Sequence, residues 1–231
     1  MTRTPADSLA DAAGTLLHDH DVADLLLRLT QDAMRFAGGD AAGVLVRLAA
    51  GPFEVLSATS HTATHLELYQ THRQEGPCVD VLDTHRLVAV SGPEAIVARW
   101  PAVGPAIVEA GFASVHAFPL VWQGGAFGGL NVFAASDRGL DAGTIRTTQG
   151  LADMLTLAIV QPDRLRPEDV DRRLARALDA RVVVEQAKGA LAHQLGIDVA
   201  RAYDVLMERS VRAGTPLTHT ARAVLEEAQL G

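Results

Sequence analysis

The sequence predicts an α+β domain over residues 14–160, a linker at 161–167, and an all-α segment made of one long helix and a three-helix module. Three observations carry this expectation. Two strand-like apolar runs, Ser114 to Trp122 and Ala126 to Ala135, flank the glycine-bearing loop Gln123-Gly124-Gly125, with helix-periodic segments on either side. Gln161-Pro162-Asp163-Arg164-Leu165-Arg166-Pro167 then breaks helical periodicity with two prolines. Beyond the linker, apolar residues recur at helical spacing.

Residues 6 to 37 read as helix, with Leu16, Leu17, Val22, Leu25, Leu26, Leu29, Ala33 and Met34 at helical steps until Gly38-Gly39. Ala42 to Leu48 and the alternation from Phe53 to Ser57 read as a hairpin turning at Gly51-Pro52. Thr62 to His72 is helical again, and Glu75-Gly76-Pro77-Cys78 turns into a short helix, Val79 to Leu82. Leu87 to Val90 is expected as a buried strand, and a helix from Val103 to Ala110 precedes the two strong strands. Asp141 to Val160 closes the domain as a long helix. This order lacks the regular strand-helix alternation and glycine fingerprint of a doubly wound nucleotide-binding fold.

After the linker, Glu168 and Asp169 suit the positive end of a helix that runs from Val170 to Leu195, roughly 39 Å. Its first part, 168–180, carries Val170, Leu174, Ala177 and Leu178 as a candidate coiled-coil seam to a second copy. The module at 181–228 adds two helices. One has Val199, Ala202, Tyr203, Leu206 and Met207 as its stripe and stops near Gly214; the other has Leu217, Ala221, Val224 and Leu225 and starts after Pro216.

Composition narrows the function. At 231 residues, 48% hydrophobic and 21% charged, the chain has the makings of a soluble globular protein with a sizeable core. No apolar run approaches the roughly eighteen residues of a membrane span, and the start lacks a signal region, so a cytoplasmic location is expected. One cysteine, Cys78, excludes an internal disulfide and a four-cysteine metal site. Residues 1–163 hold 9 basic and 18 acidic residues, whereas 164–231 hold 11 and 10. The first part should repel nucleic acid; the second needs a sorted basic face to bind it.

The segment Arg181 to Leu195 is the most informative. Val184, Ala187, Leu191 and Leu195 form its stripe, and Lys188 is the only lysine among 20 basic residues. Lysine is a flexible point charge with three donors, and Gly189 beside it costs about 1 kcal/mol relative to alanine in a helix. Either a neighbouring helix packs against that glycine or a nucleic acid approaches it.

Residues from Arg181 to Leu225 resemble the ANTAR family of RNA-binding antiterminator modules. The likeness lies in Gln186-Ala187-Lys188-Gly189, Leu191, Ala202-Tyr203, Leu206, Ser210, Leu217 and Ala221. Residues 14 to 160 are similar to GAF sensor domains at Glu75-Gly76-Pro77-Cys78, Arg99-Trp100-Pro101, Phe118-Pro119-Leu120 and Gly128-Gly129-Leu130-Asn131. The resemblance implies a signal-responsive, homodimeric regulator of transcription antitermination that holds tandem RNA hairpins by their small loops, whose unstacked bases are the readable part of RNA. Arg181, Gln186, Lys188, Gly189, Arg209, Ser210, Arg212 and Arg222 are then the RNA-binding candidates. One departure stands out: where the family commonly has asparagine before the third helix, this chain has Gly214, so it uses another group there or binds more weakly.

Other chemistry is set against this. His61, His65, His72 and Cys78 have spacing that a metal could use, although surface histidines are the expectation and no metal or cofactor is assigned. Cys78 as a redox sensor is weighed against a half-buried packing role. Free methionine sulfoxide reduction, known for some GAF-fold proteins, draws on several cysteines, and no catalytic arrangement points to an enzyme. Cys78, Trp100, Phe118, Trp122 and Phe127 are candidates for lining a small-molecule pocket. The alternatives to RNA binding are a DNA-binding regulator, for which the third helix offers only Thr218, His219, Thr220 and Arg222, and a module that binds no nucleic acid.

Overall fold

The computed structural model describes residues 3–18, 21–47, 52–160 and 182–230. The chain divides into two compact units, Met1–Gln161 and Pro162–Gly231. The linker, the seam residues Val170, Leu174, Ala177 and Leu178, and Arg181 lie outside the described residues.

The first unit is built on one antiparallel sheet. Its strands are β1 (Ala41–Arg47), β2 (Phe53–Ala58), β3 (Val88–Ser91), β4 (Ser114–Trp122) and β5 (Gly125–Ala134), in the order β2-β1-β5-β4-β3. The β4–β5 hairpin pairs Trp122 with Gly125. Only Gln123 and Gly124 remain in the turn, both at positive φ (50° and 84°), which matches the right-handed twist of the strands.

Helices cover both faces. On one side are α1 (Pro5–Leu16), α2 (Val22–Phe36) and α7 (Ala142–Val160). They enclose a core that includes Leu25, Leu29, Leu151 and Leu155 with Val44, Phe118, Leu130 and Val132 of the sheet. On the other side are α3 (His61–Arg73), α4 (Pro77–Thr84), α5 (Pro93–Arg99) and α6 (Gly104–Glu109), around Trp100, Ile96, Ile107, Val115, Ala117 and Phe133. Alternation along β4 sends Val115 and Ala117 to one core and Phe118 and Leu120 to the other.

The structure departs from the expected elements in two places. The expected helix 6–37 is two helices, because the Asp21 side chain accepts from the Ala23 and Asp24 backbone N–H groups and so starts α2 afresh. Thr4 likewise caps α1, which packs into the core through Ala12. Helix α5 was not expected. Its seven residues start on Pro93 after a glycine N-cap with no side-chain cap bond, too short for periodicity to register.

The second unit has α8 (described over 182–195), α9 (Val199–Ala213) and α10 (Leu217–Leu230). Ala187, Leu191, Ala202, Leu206, Ala221 and Val224 form its core. Asp198 caps α9 by accepting from Arg201 N–H at 2.9 Å. Three of the six core residues are alanine, which lets the helices approach closely but buries little apolar area per residue.

Candidate functional site

In the helical unit, Ala187 is fully buried, and the two residues after it reach the surface. Lys188 Nζ donates to Glu185 Oε2 at 2.8 Å with 17% of its side chain exposed. The same nitrogen lies 5.4 Å from the centre of the Tyr203 ring. Gly189 is exposed, and a Cβ added there would meet nothing within 4 Å. Among the described residues, then, no helix packs on Gly189, and the open approach that a nucleic acid needs is present.

The stripe expected for α9 divides in two. Ala202 and Leu206 enter the core, whereas Val199, Tyr203 and Met207 stay exposed and continue with Val211 as a surface ridge at four-residue steps. A ring and three aliphatic side chains beside a lysine offer stacking and apolar contact to an unpaired base. Spacing alone placed Tyr203 with the core stripe, and the structure leaves its ring on the surface.

The other RNA candidates scatter. Gln186, Arg212 and Arg222 are exposed, and Arg209 pairs with Glu227 at 3.4 Å. Ser210 donates its hydroxyl to the Thr215 carbonyl at 2.7 Å and so fastens the α9–α10 turn. Gly214 is the left-handed C-cap of α9 at φ 63°. Glycine and asparagine are the residues that take this conformation most readily, so the backbone of the turn is kept and only the amide group is lost.

In the first unit a polar cluster lies buried between the sheet and α3. Asn131 Nδ2 on β5 donates to both Glu67 oxygens, at 2.9 and 2.8 Å. Gln70 Nε2 donates to Glu67 Oε2 at 3.0 Å, and Gln70 Oε1 accepts from the Cys78 backbone N–H at 3.2 Å. Burial pushes the Glu67 carboxyl up to about 8 against the pull of the Asn131 bond, so it is mostly protonated at neutral pH. Burial first, and the Glu67 charge second, raise the Cys78 thiol well above its ordinary value. A fully buried thiol in this setting is inert.

The motifs that suggested a sensor domain fasten one another. Glu75 Oε1 accepts from the Ala102 and Val103 N–H groups at 2.7 and 3.0 Å. Asp80 Oδ2 accepts from Arg99 Nε at 2.8 Å and from Trp100 Nε1 at 3.2 Å. These are two-ended ties between the α4 turn and the α5–α6 turn, and they explain why Trp100 sits in the core.

The five pocket candidates are not brought together. Trp100 belongs to one core and Phe118 to the other, with the sheet between them; Cys78 is buried beside Glu67; Phe127 packs at the edge of the Phe118 core; and Trp122 is 45% exposed at the hairpin end. Only Phe118, Trp122 and Phe127 lie on strands, while Cys78 and Trp100 come from helical segments of the opposite layer. His61, His65 and His72 are exposed while Cys78 is interior, and among the described residues no three histidine, cysteine or acidic side chains converge as a metal site would need. Among the described residues, no helix is long and apolar enough to cross a membrane.

Comparison with known proteins agrees with these two units. The GAF domain model matches residues 19–160, and the ANTAR domain model matches residues 172–225. The chain is similar in structure to the GAF domain of an Acinetobacter phosphoenolpyruvate-protein phosphotransferase, at 11% identity and a TM-score of 0.54, covering 72% of this chain and 100% of that one. It is also similar to the phycocyanobilin-bound GAF domain of a cyanobacterial phytochrome, at 13% identity and a TM-score of 0.52, covering 70% and 96%. Such identities speak to fold alone. No curated protein matches the sequence. With an antiparallel sheet clad on both faces, a closing helical unit that displays Lys188 beside Gly189, and family matches over both, the chain belongs to the GAF family and carries in addition an ANTAR domain, the RNA-binding module of antitermination regulators.

Proposed function

We propose that this protein is a homodimeric, signal-responsive antitermination regulator whose helical unit grips tandem RNA hairpins by their loops. The observation that carries the reading is the Lys188–Gly189 step, a half-buried lysine with its ammonium over Tyr203 next to an exposed glycine with open space around it. Lys188 is restrained by an i,i+3 pair with Glu185, and such surface pairs contribute only a few tenths of a kcal/mol. Exchange of that carboxylate for an RNA phosphate therefore costs little. Tyr203 and the ridge beside it would take a loop base by its face, while Arg212 and Arg222 supply charge. The protein is read as a regulator without catalytic chemistry. Its homodimer rests on the apolar spacing at Val170, Leu174, Ala177 and Leu178, and two copies each holding one loop would gain from effective concentration.

The experiment is a titration of the full chain against a tandem small-loop RNA hairpin, beside duplex DNA of equal length, at several salt concentrations. RNA should be preferred. About three phosphate contacts predict a slope of log affinity on log salt of roughly −2. Lys188→Ala should weaken binding about tenfold and flatten the slope by about 1. Equal binding to DNA would favour a DNA-reading regulator, and a folded Lys188→Ala protein that binds as tightly as the parent would remove Lys188 from the interface.

A further inference from the structure

The face of the sheet covered by α2 and α7 holds a cavity at its end, far from Glu67 and independent of the RNA reading. Its volume is about 270 Å³. That is below the ~300 Å³ at which drug-sized sites begin, yet it is space for several water-sized groups. Phe36 to Gly38 at the C-terminal end of α2 form one wall, Ser114 and His116 of β4 the floor, and Arg138 with Asp141 the opposite rim before α7.

Its chemistry is specific. His116 is 2% exposed and its Nε2 has no hydrogen-bond partner, a state that costs free energy unless something else meets it. Burial lowers the His116 pKa, so the ring is neutral near pH 7. Arg138 is exposed and makes no ion pair among the described residues. Asp141 Oδ1 accepts from the Thr144 and Gly143 N–H groups at 2.9 and 2.7 Å and its Oδ2 from the Thr144 hydroxyl at 3.0 Å, which holds the carboxyl below its ordinary range at the cavity rim. At the end of α2 the Ala33, Met34 and Arg35 carbonyls already accept from the Ala37, Gly39 and Gly38 N–H groups, and what this end offers the cavity is the negative pole of the helix dipole. Among the described residues, the walls thus carry Arg138 with no ion pair, the capped carboxylate of Asp141 beside a negative helix end, and a neutral polar floor.

We propose that this cavity binds a small zwitterion of the α-amino acid class, its carboxylate on Arg138, its ammonium between Asp141 and the end of α2, and its side chain toward His116. A purely anionic ligand would face Asp141, and a purely cationic one would leave Arg138 unused. Recognition by both charges rejects each.

The test is calorimetric titration of the full chain with each of the twenty free amino acids, followed for any binder by its decarboxylated amine and its N-acetyl derivative. At least one free amino acid is expected to bind, with both derivatives at least tenfold weaker. Arg138→Gln, an exposed substitution, should lower affinity tenfold or more without changing the melting temperature of the unliganded protein, and Arg138→Lys should fall between. Absence of binding by all twenty, equal binding of either derivative, or unchanged affinity in Arg138→Gln would overturn the proposal. None of these outcomes depends on whether the helical unit binds RNA.

Discussion

Glu67 in the sheet unit and Lys188 in the helical unit are both charged-type residues on helices, and the two units place them in opposite settings. Glu67 is sealed against Asn131 and held as a neutral acid; Lys188 lies partly exposed over a tyrosine, its charge paired at 2.8 Å with the exposed Glu185. The same contrast holds for glycine. A Cβ on Gly43 would lie 2.6 Å from Glu67 Oε1, whereas one on Gly189 would meet nothing. Where side chain and backbone interlock, the residue serves the fold. Where space is left open, the residue is available to a partner.

Four measurements sharpen this contrast. The largest effect is expected at Trp100: Trp100→Ala empties a fully buried site and leaves Asp80 without the indole donor, and should cost about 3–5 kcal/mol by denaturant titration. Retention of stability would remove the motif from the structural side. Next comes the pH dependence of Glu67. Its folded pKa is raised, so the folded protein holds more protons than the unfolded chain between the unfolded carboxyl range and about 8. Its contribution is fully present at acid pH and is lost as pH rises through that window, at up to about 1.4 kcal/mol per pH unit. Glu67→Gln should flatten the slope of melting temperature on pH across that range, and an unchanged slope would show the carboxyl to be charged in the fold.

The glycine pair follows. Gly43→Ala should destabilise by about 1–3 kcal/mol, since the new methyl pushes Glu67 within a packed layer. Gly189→Ala should instead raise the stability of the helical unit by up to about 1 kcal/mol, while lowering RNA affinity. A substitution that improves the fold and harms binding identifies a surface kept open for a partner; one that leaves binding intact would return Gly189 to chance. The smallest effect is chemical: native Cys78 should resist alkylation until the protein is unfolded, because it is buried and its thiol is held protonated.

Much of the fold could be read from local pattern. The β4–β5 hairpin showed itself because Gly124 sits between two apolar runs, and Asp198 marked the start of α9 as caps do. Less visible was anything that depends on distant partners. Nothing in the sequence around Glu67 shows that Asn131, 64 positions later, faces it. Trp100 looked like a pocket wall because its tie to Asp80 spans 20 positions. In the helical unit, sequence singled out Lys188 as the only lysine and Gly189 as a glycine inside a helix, but read Tyr203 with the core stripe and could not show that the Ser210 hydroxyl fastens a turn. Spacing tells which residues share a helix face, and only packing tells how wide the buried part of that face is.

The order of strands also bears on how the chain is made. β1 can pair with β2 almost as soon as both leave the ribosome, but its other edge waits for β5, with Ala41 and Phe133 about 90 positions apart. At about 5–20 residues per second that edge stays open for roughly 5–18 s of synthesis, longer than most elementary folding events take. For those seconds the nascent sheet unit displays Val44 and Val46 on an unpaired strand, and faster elongation shortens that exposure in proportion.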